Sequence, residues 1–299
     1  MTDAEEFLLY EGCMIGQRLP YLEKSARLVF EKLELKPKDA AFGCCPDPIG
    51  IQCSDYTSWL SLGARNLTLA EAEGKDIVSL CNGCTQTLTV VNHELKHSES
   101  KRNKINRILK EVGREFKGSI NVSHFLTYLL EEVGVEAIKA KITKPLTGLK
   151  VACHTGCHYM RPVEIMQSEE DHENPQNLRK VVAATGATII DYEEEHLCCG
   201  YAIMNAEEDV SLRRLQKKLD SAINAGAEIF CVICPSCFSQ MDFNQRSLKK
   251  KFEKDYDIPI FYLTELLALA MGYTYDEIEL KMHSQKPKLI KERFEGGAA

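Results

Sequence analysis

Cysteines offer most of the reactive chemistry in this sequence, and ten of the thirteen follow one pattern that occurs twice. Each half has a single cysteine, then two adjacent cysteines, then a Cys-x-x-Cys pair. The ten residues are Cys13, Cys44, Cys45, Cys81 and Cys84, then Cys157, Cys198, Cys199, Cys234 and Cys237. Between the adjacent pair and the Cys-x-x-Cys motif lie 35 residues in the first half and 34 in the second. This duplicated spacing predicts two metal or cluster sites.

The number of cysteines in each half exceeds what a zinc site uses. Thiolates are soft ligands that select zinc, copper(I) or iron–sulfur clusters. Structural zinc is bound by four ligands, usually on two Cys-x-x-Cys knuckles, and an adjacent Cys-Cys pair fits poorly into that arrangement. Two neighbouring thiolates are better suited to bridging irons or to binding different irons. Iron–sulfur clusters are therefore the preferred interpretation, and zinc stays open as the alternative.

The overall composition argues against several classes of protein. A formal net charge of −7 argues against nucleic acid as the main partner. No apolar run reaches the roughly 18 residues that a membrane span needs. The most apolar stretch, 261–273, contains Glu265 and is expected to be a core helix. The acidic start, Met1–Glu6, has the wrong sign for a signal peptide, so we expect a cytoplasmic protein with reduced thiols rather than a disulfide framework.

Short buried strands come directly before several of these cysteines. They are predicted at residues 7–10, 76–80, 149–153, 187–191 and 228–233. The first leads to Cys13, the second runs straight into Cys81, and the last runs into Cys234. Because binding loops lie at the carboxyl ends of parallel strands, we expect Cys13 and the Cys81/Cys84 pair to converge on one sheet edge. Helix N-termini beyond these loops would lower the pKa of the thiols and stabilise an anionic cluster.

Helices are expected between the strands, which is the α/β pattern. They are predicted from Pro20 to about Leu33, at about 57–73, after Cys84, and at about 98–116, 125–133, 178–185 and 210–223. We therefore expect an α/β fold with two similar Rossmann-like cysteine-rich domains related by internal duplication, each with a small mostly parallel sheet flanked by helices. The domains are expected at 1–147 and 148–299. The basic tail from His283 is expected to be mobile or partner-bound.

The motifs around the cysteines resemble the B subunit of heterodisulfide reductase, a protein of two cysteine-rich domains. The matching stretches are Tyr10-Glu11-Gly12-Cys13, Cys44-Cys45-Pro46-Asp47-Pro48, Cys81-Asn82-Gly83-Cys84, His154-Thr155-Gly156-Cys157-His158 with Arg161-Pro162, Cys198-Cys199-Gly200, and Cys234-Pro235-Ser236-Cys237. The resemblance covers nearly the whole chain, and two complete signatures in one chain make it specific.

The resemblance implies that the five cysteines of each domain hold one non-cubane 4Fe–4S cluster and that both clusters face a shared cavity. It also implies two partners, a ferredoxin-like C subunit and a flavin-containing A subunit. In methanogenic archaea the family reduces the coenzyme M–coenzyme B heterodisulfide, and related versions have other or unidentified substrates. We hypothesise homolytic cleavage of a small disulfide between the clusters, since each can deliver one of the two electrons. No Walker-type or complete Gly-x-Gly-x-x-Gly motif occurs, so no flavin or nucleotide is expected in this chain.

Four residues near the two single cysteines are candidates for roles in catalysis. His154 and His158 flank Cys157, and either could protonate a departing thiolate. The alternative is a histidine that is hydrogen-bonded to cluster sulfide or to the backbone. Arg18 and Arg161 could clamp anionic groups of a substrate, although arginines at surfaces and domain interfaces are common.

Three cysteines lie outside the duplicated pattern. Cys231 falls in the middle of a predicted strand and is expected to be a small buried hydrophobe. Cys153 competes with Cys157 for the ligand role, and the family motif favours Cys157. Cys53 is expected to be structural or to lie near the first cluster.

Two other functions stay open for the whole chain. Similar cysteine-rich domains occur in subunits of lactate, glycolate and succinate oxidoreductases, which transfer electrons without disulfide chemistry. Two complete five-cysteine sets favour catalysis, because a simple relay needs no symmetric pair. A zinc- or sulfur-binding interaction protein is the remaining alternative, and it would hold no iron.

Overall fold

Two four-stranded parallel sheets form the framework of the chain, whose computed structural model describes residues 6–166 and 170–295. The strands of the first sheet are β1 (Phe7–Tyr10), β2 (Pro37–Lys38), β3 (Ile77–Ser79) and β4 (Val122–His124). The strands of the second sheet are β5 (Lys150–His154), β6 (Thr188–Ile189), β7 (Ile229–Val232) and β8 (Ile260–Tyr262). Each sheet with its helices is called a lobe, the first and the second in chain order.

Both sheets have the same strand order, which confirms the predicted internal duplication. The order is β2-β1-β3-β4 in the first sheet and β6-β5-β7-β8 in the second. Every neighbouring pair of strands is parallel. The residues paired in register at the strand ends are Tyr10, Ser79 and His124 in the first lobe and His154, Val232 and Tyr262 in the second. The predicted α/β fold class is therefore confirmed.

The central strands are buried on both faces, as a parallel sheet between helices requires. All residues of β1 and β7 are buried, and only Lys150 of β5 is exposed. The outer strands β2 and β6 have two residues each. The sequence indicated no strand at 37–38, because two residues cannot show a period, and the strand expected at 187–191 is shorter than predicted.

Eight helices connect or follow the strands in the described part of the first lobe. They are α1 (Cys13–Arg18), α2 (Pro20–Lys32), α3 (Gly50–Ser54), α4 (Tyr56–Glu73), α5 (Asn82–His97), α6 (Glu99–Lys110), α7 (Phe125–Tyr128), which continues as a π-helical turn at Leu129–Val133, and α8 (Val135–Ala140). Pro20 is the first residue of α2, where its fixed φ suits the helix. Asp55 caps α4 by accepting hydrogen bonds from two backbone N–H groups of the first turn, and Gly74 ends α4 in the left-handed region.

The charged helix α6 is shorter than the sequence predicted. It ends at Lys110 rather than near Phe116. Gly113, with φ of 70°, lets the chain turn back just after the helix. The Asn106 side chain then accepts a hydrogen bond from the N–H of Phe116 at 2.9 Å and donates to its carbonyl at 3.1 Å. This turn buries the Phe116 ring in the core of the first lobe.

The six helices in the described part of the second lobe include those predicted at 178–185 and 210–223, and the core helix expected at 261–273 begins only after β8. They are α9 (Asn177–Ala184), α10 (Glu208–Asn224), α11 (Pro235–Phe243), α12 (Gln245–Phe252), α13 (Leu263–Ala270) and α14 (Lys288–Phe294), with 3-10 turns at Tyr201–Ile203 and Leu280–Met282. The buried face of α10 includes Leu212, Leu215 and Leu219. Val210 and Ile223, the apolar residues at the two ends of the helix predicted at 210–223, are exposed. Within residues 6–166 and 170–295, no helix combines the length and apolar character that a membrane span requires.

The two lobes share a hydrophobic core. Helix α2 of the first lobe packs against α13 of the second. In this buried contact the hydroxyl groups of Ser25 and Thr264 are hydrogen-bonded at 2.6 Å. One core cluster joins Phe7 and Val29 of the first lobe to Phe261 of the second. The lobes are therefore packed together through apolar side chains rather than joined only by the linker.

The C-terminal segment packs on the second lobe as far as Glu295. His283 is buried against Glu265, and Ile290 of α14 is buried in the core. These contacts hold residues 283–295 against the chain itself, whereas the sequence predicts a mobile or partner-bound tail. Residues 296–299 lie outside the described residues. Partner binding by the tail and the domain boundary between residues 147 and 148 stay predictions.

Candidate metal centre

The cysteines of each lobe follow the carboxyl ends of three neighbouring strands. In the first lobe, Cys13 begins α1 after β1, and Cys81 lies between β3 and α5. Cys44 and Cys45 follow the short strand β2. The second lobe repeats this arrangement after β5, β6 and β7. The convergence expected for two of the three groups therefore extends to the third, because β2 and β6 carry the adjacent pairs to the same sheet edge.

The five thiols of the first lobe form a continuous series of contacts. The Cys44 thiol interacts with the thiols of Cys13 and Cys45. Cys45 in turn contacts Cys84, and Cys84 contacts Cys81. Cys13 and Cys44 are exposed, whereas the other three are buried. The series therefore runs from the surface into the interior.

The second lobe contains the same series in the same order. Cys157 interacts with Cys198, and Cys198 interacts with Cys199. Cys199 then contacts Cys237, and Cys237 contacts Cys234. None of these five is exposed, since Cys157 and Cys198 are half-buried and the others are buried. The second site is thus the more enclosed of the two.

The two series meet at the seam between the lobes, where Cys81 interacts with Cys234. All ten thiols of the duplicated pattern thus lie in one unbroken series. The Tyr262 hydroxyl group is hydrogen-bonded to the carbonyl oxygens of Leu80 and Ile233, which directly precede the two meeting cysteines. One buried hydroxyl group therefore fixes both strand ends at the point of contact.

His124, which occupies the register position equivalent to Tyr262, supports the same point. Its Nδ1 accepts a hydrogen bond from the N–H of Leu126 at 3.1 Å, so Nε2 carries the hydrogen and donates to the Ile233 carbonyl at 3.2 Å. Burial lowers the pKa of His124 to about 4, which keeps the ring neutral. The sequence missed both residues. The sequence segments 121–130 and 258–267 resemble each other, but their residue-by-residue alignment places Tyr262 opposite Phe125. In the sheets the equivalent of Tyr262 is His124, one residue earlier.

Hydrogen bonds between thiols make some of these cysteines acidic. Such bonds, led by the one from Cys44, lower the pKa of Cys45 to about 4. The bond from Cys157 holds the pKa of Cys198 far below its usual range, and Cys198 in turn raises the pKa of Cys199 to about 12. Each lobe therefore stabilises a thiolate, which is the form that binds soft metals. Metal binding would release the protons of the remaining thiols.

Two glycines with positive φ lie beside the thiol series. A Cβ atom on Gly12 would lie 2.9 Å from Sγ of Cys84. A Cβ atom on Gly156 would lie 2.9 Å from Nδ2 of Asn82 and in ordinary contact with Sγ of Cys237, at 3.5 Å. Their φ angles are 82° and 79°, in the left-handed region that favours glycine. Side chains at both positions would strain the backbone, and a Cβ atom at Gly12 would also crowd the Cys84 thiol.

His154 belongs to the cluster of groups in the second lobe. Its ring and the sulfurs of Cys199 and Cys237 place three possible ligand atoms within 4.8 Å of one another. Nδ1 lies 3.4 Å from the Glu195 carbonyl, whereas the buried Nε2 has no hydrogen-bond partner in the described part of the chain. Burial, aided by the charge of Lys218, lowers the pKa of His154 to about 3. Because a carbonyl oxygen only accepts, the hydrogen of the neutral ring is on Nδ1, and the unprotonated Nε2 can bind a metal or accept a hydrogen bond. The role of His154 as a proton donor stays a prediction.

The other three candidates lie nearer the surface. His158 is half-buried, and its Nδ1 is 3.7 Å from the position that a Cβ atom on Gly83 would occupy. This second-lobe histidine therefore faces the cysteine loop of the first lobe. Arg18 and Arg161 are exposed, and the charge of Arg18 acts on Tyr201 across the seam. The structure thus brings His158 and Arg18 to the seam, and the roles of all three stay predictions.

The cysteines outside the duplicated pattern have different environments. Cys153 and Cys231 are paired in register on β5 and β7 and are fully buried. Burial raises the pKa of both thiols, so they stay protonated. The interpretation of Cys231 as a small buried hydrophobe agrees with this position. Cys53 is exposed in α3, so it is not a core residue.

Replacing Cys157 with alanine should remove the metal of the second lobe, whereas Cys153→Ala should retain it. Cys157 is a member of the thiol series, but Cys153 lies inside the sheet. The Cys153 change should cost only about 1 kcal/mol of unfolding free energy, on the order of one buried methylene group. Iron analysis of the two purified variants under anaerobic conditions checks this. Equal metal loss in both variants would contradict the assignment of Cys157.

The cysteine-rich domain family CCG matches the chain twice, at residues 7–89 and 151–242. The two matches correspond to the two lobes. Together they contain all ten thiols of the series.

Relatives with curated names match over nearly the full length. The B subunit of the ferredoxin/F420H2-dependent CoB–CoM heterodisulfide reductase of Methanosarcina acetivorans is 37% identical over 92% of this chain and 92% of its own. The B subunit of the ferredoxin:CoB–CoM heterodisulfide reductase of Methanosarcina mazei is 36% identical over the same shares. The 8-methylmenaquinol:fumarate reductase membrane anchor subunit of Wolinella succinogenes is 30% identical over 92% of this chain and 95% of that relative.

A solved structure, described as that of a hypothetical protein from Helicobacter pylori, has the same fold. The TM-score is 0.74 at 16% identity, over 94% of this chain and 52% of that one. This chain thus spans about half of that protein, and at such low identity the likeness concerns the fold alone. The two CCG domains, together with more than a third of identical residues shared with the Methanosarcina proteins, show that the chain belongs to the family of heterodisulfide reductase B subunits.

Proposed function

We propose that the chain is the disulfide-reducing subunit of a heterodisulfide reductase-type complex and holds one iron–sulfur cluster in each lobe. The observation that carries this proposal is the unbroken series of ten thiols, which passes from lobe to lobe at Cys81 and Cys234. The Methanosarcina relatives are named for the CoB–CoM heterodisulfide. The proposed substrate is that heterodisulfide or a related small disulfide.

The residues present fit iron–sulfur clusters better than zinc. Each lobe offers five thiols in contact, one more than a tetrahedral zinc site binds. Helices α5 and α11 begin at the Cys-x-x-Cys motifs, so the positive ends of their dipoles favour an anionic group there. The open Nε2 of His154 adds a further polar atom in the second lobe. Non-cubane 4Fe–4S clusters are the type that the family resemblance implies, with Cys13, Cys44, Cys45, Cys81 and Cys84 on one and Cys157, Cys198, Cys199, Cys234 and Cys237 on the other.

Two cluster sites in contact suit the chemistry of disulfide reduction. Breaking an S–S bond into two thiols takes two electrons and two protons, and a cluster on each side would supply one electron each. The chain holds the two sites together through the Tyr262 and His124 hydrogen bonds at the seam. His158, which is half-buried beside the first-lobe loop, is the proposed proton carrier. Arg18 and Arg161, both exposed, are proposed to bind anionic groups of the substrate.

The proposed partners are a ferredoxin-like C subunit and a flavin-containing A subunit. The Methanosarcina relatives are named as the B subunits of enzymes that use ferredoxin. In this chain, exposed Cys13 and Cys44 give an electron-donating partner an approach to the first site. The flavin is expected in the partner rather than here, and the complex is expected in the cytoplasm.

Metal analysis and a disulfide assay test the proposal on the purified, anaerobically loaded chain. We expect roughly eight irons with matching sulfide, which is two 4Fe–4S clusters. With a reduced viologen as donor, the same preparation should convert a candidate disulfide to two thiols. About two zinc ions in place of iron would overturn the proposal.

Electron transfer without disulfide chemistry is the second candidate function. The Wolinella relative, named as a subunit of a fumarate reductase, is 30% identical over 92% of this chain. This function predicts full iron content and oxidation of reduced viologen by an acceptor complex, but no cleavage of any disulfide. The thiol assay therefore separates the two functions.

A further inference from the structure

A buried lysine distinguishes the second lobe from the first. Helices α4 and α10 each lead from the loop of an adjacent cysteine pair to a central strand, and each is followed by a glycine with positive φ, Gly74 or Gly226. Eight residues before these glycines lie Asn66 and Lys218. Their exposed fractions are 1% and 0%. Corresponding places therefore hold a neutral amide in one lobe and a cation in the other.

Both side chains tether the segment around an adjacent cysteine pair. The Asn66 Nδ2 donates to the carbonyl of Cys44 at 2.9 Å. The Lys218 Nζ donates to the carbonyls of Glu194 and Glu195 at 2.5 and 3.0 Å. The structural task is the same, but the lysine adds a full positive charge to the interior.

This charge acts on the thiols of the second lobe. The Glu195 carbonyl that accepts from Lys218 also lies 3.4 Å from Nδ1 of His154. The His154 ring in turn has a possible ligand atom within 4.8 Å of the sulfurs of Cys199 and Cys237. At this range Lys218 interacts electrostatically with both thiols and with Cys198. The Nζ atom also lies 5.3 Å from the centre of the Tyr192 ring, a favourable cation–π distance. Burial lowers the pKa of Lys218 to about 8, which still leaves the side chain protonated at neutral pH. The second lobe therefore has a buried cation beside its metal ligands.

The other charges near the two sites compete with this one only weakly. Glu195 and the exposed Asp191 are both paired with Arg179. In the first lobe, Arg65 is half-buried and donates to a backbone carbonyl at 3.0 Å, while Asp47 in the same loop region is exposed and of opposite sign. Water and salt screen exposed charges far more than buried ones. Lys218 is thus the main electrostatic difference between the lobes.

We propose that Lys218 raises the reduction potential of the second-lobe centre above that of the first-lobe centre, so that the second lobe is reduced first. This inference rests on the proposed function, namely one iron–sulfur centre in each lobe. Reduction adds negative charge to a centre that its thiolates already make anionic, and a nearby buried cation stabilises that charge. The two thiol series have the same number and order of ligands. The second site is more enclosed, which by itself disfavours added negative charge. In this proposal the buried charge of Lys218 outweighs that effect and sets the order of reduction.

A redox titration of the metal-loaded chain, followed by EPR, tests the role of the lysine. Lys218→Asn removes the charge, keeps a hydrogen-bond donor, and reproduces the residue type of the first lobe. The reduction equilibrium of the second-lobe centre should become at least tenfold less favourable, a fall of about 59 mV for one electron, while the first-lobe centre is unchanged. Lys217→Gln is the matched control, because this neighbouring side chain is 66% exposed and its loss should move neither centre.

The wild-type chain provides a second test that needs no folded variant at Lys218. The second-lobe signal must appear at the higher potential, with the signals assigned from Cys45→Ser and Cys199→Ser, each of which alters one lobe. Equal potentials, or earlier reduction of the first lobe, would overturn the inference, as would an unchanged midpoint in Lys218→Asn or an equal shift in Lys217→Gln. A preparation with fewer than two iron–sulfur centres would instead refute the proposed cofactors.

Discussion

Replacing either Cys45 or Cys199 with serine should lower disulfide reduction by at least about 100-fold. Each of these residues contacts two other thiols of its lobe, so its loss interrupts the ligand series in the middle. Even residues that only orient metal ligands change metal affinity or activity by about 10- to 100-fold when they are replaced. Because the two electrons are expected to come from two sites, damage to one lobe should stop the whole reaction. An anaerobic viologen-linked thiol assay measures the loss.

Cys53→Ser is the matched control for this pair. The same chemical change is made in α3, at an exposed cysteine outside the thiol series. Its iron content and its turnover should equal those of the wild type. Undiminished turnover in Cys45→Ser or in Cys199→Ser would show that one lobe suffices, and the two-centre mechanism would then be abandoned.

The two-lobed α/β fold was predictable because its central strands are continuous apolar runs. Strands such as β1 and β7 are buried on both faces, so their apolar composition alone identifies them as buried strands. The outer strands β2 and β6 are different, since each has two residues and exists through its pairing with β1 or β5. The adjacent cysteine pairs lie in the loops that follow these two strands, yet no local sequence pattern indicates a strand of two residues.

The ten thiols were also predictable, whereas the way in which they meet was not. Contact between Cys81 and Cys234 depends on the packing of the lobes and on the hydroxyl group of Tyr262, which joins residues far apart in the chain. Lys218 and Lys217 look alike in an amphipathic helix rich in lysine and arginine. Only the tertiary structure shows that the first is buried and the second is exposed.

Glu265→Ala should lower the free energy of unfolding by about 3–5 kcal/mol, as expected when one partner of a buried charged pair is removed. The side chains of Glu265 and His283 are both fully buried, with Oε1 2.7 Å from Nε2. The other carboxylate oxygen accepts a hydrogen bond from the N–H of Tyr262 at 2.8 Å. Truncation leaves both donors buried and unpaired. Tyr262 also holds the contact between the two thiol series. We therefore expect the Glu265→Ala substitution to destabilise the seam as well.

The same pair predicts that stability falls as the pH rises. Burial by itself lowers the pKa of His283, but the nearby carboxylates of Glu265 and Asp242 outweigh it and raise the pKa above its ordinary value. A histidine whose pKa is higher in the folded state than in the unfolded state stabilises the fold. This stabilisation is fully present below the unfolded pKa of about 6.5 and is lost as the pH rises through the folded pKa. The wild type should therefore be more stable at about pH 6 than at about pH 9, and Glu265→Ala should lose most of that difference.

Urea denaturation followed by circular dichroism at the two pH values measures both effects, with Glu279→Ala as the matched control. Glu279 is also ion-paired, here with Lys24 of the first lobe at 2.9 Å, but the Glu279 and Lys24 side chains are 37% and 45% exposed. Its loss should therefore cost only about 0–1 kcal/mol. Similar losses of unfolding free energy in Glu265→Ala and Glu279→Ala would mean that burial does not determine how much the Glu265–His283 pair contributes to stability. A pH dependence that persists in Glu265→Ala would assign that dependence to a group other than His283, because the carboxylate is the main reason that this histidine holds its proton in the core.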